Sequence, residues 1–113
     1  MKRVSCVALF LTFMVSPAVF ANGAADASAG KDVFAKHCVA CHGADGKGND
    51  TVAKMMKVTI PPMASKEVQG LSDADLSKVI TEGKGKMPPM KTLSSADVAN
   101  VVAFIRELGK TSK

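Results

Sequence analysis

The 113-residue chain has no tryptophan and no tyrosine. That absence removes the stacking surfaces on which a single-strand nucleic-acid binder lays its bases. Charge does not compensate: the formal net charge of +5 falls to +3 once Lys2 and Arg3 of the N-terminal segment are set aside, too mild for recognition of nucleic acid by charge alone. Cysteine is scarce as well. Of three cysteines, Cys6 lies within an apolar N-terminal run, which leaves Cys38 and Cys41 for the rest of the chain. Those two can build neither a disulfide framework nor a four-cysteine zinc site. Beyond Phe20 no stretch is long and apolar enough to span a membrane, and none alternates apolar and polar residues with strand-forming composition.

What is present begins with the layout of an export signal. Lys2 and Arg3 precede the apolar run from Val4 to Val15, Pro17 interrupts it, and Val19 and Ala21 stand where a signal peptidase reads the chain. An uncleaved anchor is the rival, but the break at Pro17 and the non-helical residues that follow favour removal. Residues 1–21 are therefore read as a cleaved secretory signal peptide and residues 22–113 as one mature domain, exported to the periplasm. A domain of that size builds only a modest core, so an internal staple or cofactor is expected.

Helical signals dominate the mature domain. A first helix is predicted from near Ser28 to about Cys38, with Val33, Phe34 and Cys38 on one face, followed by a loop containing Gly43, Gly46 and Gly48. A short helix with Val52, Met55 and Met56 inward should be ended by the prolines of "IPPM", Ile60 to Met63. Two helix starts repeat one device. Ser72 and Asp75 predict a capped helix over Asp73–Glu82, with Leu71 clasping Leu76 and a stop at Gly83. Ser94 and Asp97 predict another over Ser95–Leu108, with Leu93 and Val98 as the clasp and a stop at Gly109. In that last helix Val98, Val101, Val102, Ile105 and Leu108 form a buried stripe. The expected fold is all-α, three to five helices with long loops. Those loops, "GADGKGND" and "GKGKMPPMKT", bury little by themselves, so something else should fill the centre.

"CVACH", Cys38 to His42, supplies the something else: C-x-x-C-H is the attachment sequence of haem c. Two thiols at that spacing add across the two porphyrin vinyl groups, and the next residue is a histidine that can bind the iron from below. A thioredoxin-like dithiol needs a strand before the motif and a helix after it, whereas here a helix precedes and a glycine loop follows. A zinc site would have to use His37 and His42 with the cysteines, all within six residues and too crowded for a tetrahedron. A second axial ligand is expected from "EGKGKMPPM", where Met87 sits in a loop stiffened by Pro88 and Pro89. Met90 is its close competitor. Met55, Met56 and Met63 are read as packing around the haem, and His37 as an exposed or capping residue.

With these motifs together the sequence resembles the class I monohaem cytochromes c of the small bacterial periplasmic type. The resemblance covers nearly all of residues 22–113: Gly30 and Phe34 before "CVACH", "GADGKG" after it, then "KGKMPPM" and "VANVVAFIRELG". It implies a cytochrome c fold wrapped around one covalently attached haem c per chain. Cys38 and Cys41 are then the thioether residues, His42 the proximal and Met87 the distal iron ligand. It also implies that the first and last helices cross through Gly30, Phe34, Val101 and Phe104, and that the carbonyl of Pro61 or Pro62 accepts the His42 Nδ1 proton.

The function that follows is electron transfer by Fe(II)/Fe(III) cycling in a six-coordinate haem, without enzymatic activity. Redox proteins with acidic docking surfaces are the expected partners, steered by some of Lys47, Lys54, Lys57, Lys84, Lys86 and Lys91, and the carrier is expected to be a monomer. The alternatives are a haem enzyme or gas-binding protein with a labile distal methionine, and an electron-transfer subunit of a larger oxidoreductase complex.

Overall fold

The computed structural model of the protein describes residues 25–111, so the expected signal peptide, residues 1–21, lies outside the described residues. Asp26 starts the first helix: its carboxylate accepts from the Ser28 and Ala29 amides at 2.8 and 3.3 Å while its own backbone stays extended. α1 (Ala27–His37) ends at Cys38, and a single turn, α2 (Val39–His42), follows. Asn49 caps α3 (Asp50–Met56), Ser65 caps the single turn α4 (Lys66–Gln69), and Ser72 caps α5 (Asp73–Glu82). The last helix, α6 (Ser95–Thr111), starts with a reciprocal pair: Ser94 Oγ accepts from the Asp97 amide at 3.0 Å, and Asp97 Oδ2 accepts from the Ser94 amide at 3.2 Å.

The chain is all-α among the described residues, as expected, but with six helical segments instead of three to five. The excess is α2 and α4, each four residues long and too short to show helical periodicity in a sequence.

Two expected boundaries move. α3 stops before the prolines because Lys57 turns into the left-handed region, φ 55° and ψ 46°, and its amide closes back on Ala53 and Lys54. α6 does not stop at Gly109 but runs on to Thr111. A Cβ on Gly109 would lie 2.4–2.7 Å from the Gln69 side-chain amide, so glycine stands there to admit a neighbour, not to end a helix. One expected orientation also fails: Met55 is 75% exposed. Val52 and Met56, four residues apart, share one face of α3, and Met55 lies off that face.

The core forms where α1 crosses α6. Phe34 and Val101 are each 1% exposed, and the Phe34 and Phe104 rings meet edge-on with centroids 5.2 Å apart. A Cβ on Gly30 would fall 1.9 Å from the Asn100 carbonyl oxygen, so the two backbones touch at this point. Leu76 and Ile80 of α5 join Val98, Val102 and Ile105 of α6 in the same cluster, with Met63 and Val68.

Polar side chains fasten the turn between α4 and α5 to α6. Arg106 donates from Nε to Asp73 at 3.0 Å, from one terminal nitrogen to the Gln69 carbonyl at 2.9 Å, and from the other to the Leu71 carbonyl. Gln69 Nε2 in turn donates to the carbonyls of Met63, 2.7 Å, and Ile105, 3.0 Å.

Candidate haem site

Cys38 sits at the junction of α1 and α2, Cys41 and His42 within α2. The turn holds because the amides of Cys41 and His42 both bond the Cys38 carbonyl, at 3.3 and 2.9 Å, and the glycine loop that follows folds back so that the Gly48 amide reaches the His42 carbonyl at 2.7 Å. Cys38 and Cys41 are both free thiols. Burial, and secondarily the neighbouring Cys41, push the Cys38 thiol up to about 11, so it is the protonated S–H that faces a reactant at neutral pH. Burial also lowers the pKa of His42, which favours the neutral imidazole a metal requires.

Met87 is carried by a tight reversal after α5. Lys84 and Met87 exchange backbone hydrogen bonds of 3.2 and 3.0 Å, the lone bridge of that kind among the described residues. The reversal needs Gly83, whose φ is +78° and where a Cβ would come within 2.5 Å of the Met87 carbonyl oxygen. Beyond the two prolines, the Met90 amide bonds the Ile80 carbonyl at 2.9 Å and ties the loop back to α5.

All four residues singled out from the sequence border one cavity of about 700 Å3: Cys38, Cys41 and His42 from α2 and its edge, Met87 from the loop. Met90 borders it too, so both methionine candidates are brought there. Met56 and Met63 line it as expected, whereas the exposed Met55 does not. His37 is exposed at the end of α1, on the rim.

The hydrogen bond expected between His42 Nδ1 and a proline is not formed. Nδ1 is buried without a partner, and the Pro62 carbonyl is engaged by the Ser65 amide at 3.0 Å in the turn leading to α4. Pro61, not Pro62, borders the cavity.

These residues fit a haem. The cavity lies within the ~300–1,000 Å3 of sites that take cofactor-sized ligands and is walled largely by aliphatic and methionine side chains. It offers two free thiols, an imidazole and a soft thioether sulfur, the donor set that holds and ligates an iron porphyrin. Among the described residues no cluster of three or more His, Cys, Asp or Glu could hold a bare metal ion.

Sequence reasoning missed Gln69 and Arg106, which hold the cavity's Val68 and Leu71 against α6. No local signal announces them, since the bonds that tie them across to or from α6 span 33 to 37 residues.

Comparison with known proteins agrees with this site. The family described as "Cytochrome C oxidase, cbb3-type, subunit III" matches residues 25–105. Cytochrome c6 of Picosynechococcus sp. is 38% identical across 100% of this chain and 99% of its own length. Cytochrome c6 of Synechocystis sp. is 36% identical over 73% of this chain and 65% of that protein. The cbb3-type oxidase subunit CcoP of Azospirillum brasilense is 35% identical over 76% of this chain, which spans only 30% of that subunit. The chain therefore belongs to the class I monohaem cytochromes c, electron-transfer proteins with covalently attached haem c.

Proposed function

We propose that Cys38 and Cys41 would form the two haem thioethers, that His42 and Met87 would hold the iron, and that the mature domain, residues 22–113, is a periplasmic electron carrier without enzymatic activity. The observation that carries the assignment is the convergence of these four side chains on one cavity. Support for a free carrier over a complex subunit comes from coverage: a cytochrome c6 aligns from end to end, while the oxidase subunit is matched over less than a third of its length.

The haem, when bound, supplies a one-electron Fe(III)/Fe(II) couple, and a His/Met pair raises its potential relative to two histidines. The chain supplies attachment, orientation and exclusion of water. Cys38 and Cys41 would hold the haem through thioethers, each thiol supplying both the sulfur and the hydrogen of the addition, so the attachment would need no oxidant. His42, whose burial favours the neutral imidazole, would hold the iron. The loop built on Gly83 fixes the Met87 backbone, which limits ligand motion between oxidation states.

Lys47, Lys54, Lys57, Lys84, Lys86 and Lys91 are all exposed, with Lys84 and Lys86 on the cavity rim. We assign them to steering a monomeric carrier toward acidic redox partners, and transfer rates to such a partner should fall as salt rises. A flat salt dependence removes the steering role.

Replacement of Met87 tests the ligand assignment. Met87→Ala should abolish the sulfur-to-iron charge-transfer band of the ferric protein and let the reduced protein bind carbon monoxide, while Met90→Ala keeps the band. The opposite pattern makes Met90 the ligand. Carbon monoxide binding by the unaltered reduced protein at neutral pH would instead favour a gas-binding or enzymatic role.

A further inference from the structure

The chain divides around the cavity into a portion that carries His42 and a portion that carries Met87. Among the described residues, two hydrogen bonds join segment 38–63 to segment 66–111. One is Gln69 Nε2 to the Met63 carbonyl, 2.7 Å, on the side packed against α6. The other is Lys86 Nζ to the Met56 carbonyl, which links the tip of the Met87 reversal to the end of α3. Both Met56 and Lys86 border the cavity.

Their settings differ. Gln69 is half-buried and further braced by Ile105 and Arg106, so that side is closed by several bonds and by packing. Lys86 is exposed and makes one bond, across the rim. Its acceptor is well matched: the carbonyls at a helix C-terminus carry partial negative charge and lack helical partners. The base of the loop is secured separately, by Met90 to Ile80 and by the Lys84 to Met87 pair. Loss of the Lys86 bond would therefore free the tip while leaving the base and the core in place.

We infer that Lys86 is a positioning residue, a latch that holds the Met87 loop closed against α3 and so sets how readily an outside ligand displaces Met87. The inference rests on Met87 being the distal ligand. With the latch broken, the open form of the loop is more populated, and an external base competes better for the same coordination position.

The test uses the haem-loaded ferric protein titrated with imidazole, read by loss of the sulfur-to-iron charge-transfer band. Lys86→Met keeps length and removes the donor; it should bind imidazole about three- to tenfold more tightly than the unaltered chain, the range expected for one hydrogen bond to a partial charge. Lys86→Arg restores a donor and should return the affinity to within about twofold of the unaltered chain, since an arginine spans a similar length. Lys78→Met, on the exposed face of α5, removes the same charge elsewhere and should leave the affinity unchanged. Equal affinity in Lys86→Met and the unaltered protein overturns the latch, as does an equal gain in Lys78→Met. The Met87→Ala spectrum separates the two claims: if the band survives that change, the Met87 assignment falls and the latch with it, whereas a band that Met87→Ala removes but with no response to Lys86→Met sinks the latch alone.

Discussion

Single residues with no room to change carry the sharpest consequences. Gly30 lies where a methyl group would overlap the Asn100 carbonyl at 1.9 Å, and the obstacle is backbone, which cannot swing aside as a side chain can. Gly30→Ala should therefore force α1 and α6 apart and destabilise the fold by about 3 kcal/mol, the upper part of the usual range for overpacking; denaturant unfolding of the haem-loaded protein measures it, and a loss below about 0.5 kcal/mol would mean the helices do not cross so closely. At this scale the candidate site was legible as far as its residues go: Cys38, Cys41, His42 and Met87 all border one cavity. Cys38, Cys41 and His42 are adjacent, and the chemistry that needs them fixes their spacing. Met87 was legible only as one of two methionines in a proline-rich loop, because which sulfur reaches a metal depends on the loop's path. The expected bond from His42 Nδ1 to a proline carbonyl is the reading that failed: Nδ1 is buried without a partner, and the Pro62 carbonyl is engaged by the Ser65 amide in the turn leading to α4.

Helices were readable where their ends are chemically marked. Ser72 and Ser94 announce α5 and α6, and the reciprocal bonds between Ser94 and Asp97 show why that pattern works. Ser94→Ala leaves the Asp97 amide without its side-chain acceptor and should cost about 1 kcal/mol of stability; a thermal or denaturant midpoint indistinguishable from the unaltered chain would show that the cap contributes nothing. Where the end of an element is set by a distant neighbour, local signals misled. Gly109 has the appearance of a stop signal, yet it lies within α6 because Gln69 packs against it. The prolines after Ile60 suggested the end of α3, but Lys57 had already turned the chain. Met55 was expected inward because methionines often fill gaps, and a seven-residue helix has too narrow a buried face to hold it.

Across the whole molecule the helices provide one well-packed wall, where α1, α5 and α6 meet, and the loops provide the rest of the enclosure. Glycine- and proline-rich backbone between α2 and α3 and between α5 and α6 finds few partners in the protein itself; it is arranged around a cavity large enough for a cofactor. The all-α architecture was legible from periodicity and caps, and the need for a filling group from loops that bury little. Neither conveyed that the portions carrying His42 and Met87 are joined by hydrogen bonds at only two points among the described residues, because such pairings depend on how distant segments meet. The central claim is that a thioether-bound haem is both the folding nucleus and the working part. Its most direct test is the mass of the purified, exported chain under denaturing conditions: the account predicts residues 22–113 plus one haem that denaturation does not remove, and a haem-free mass from a chain that is nonetheless folded and helical would contradict it.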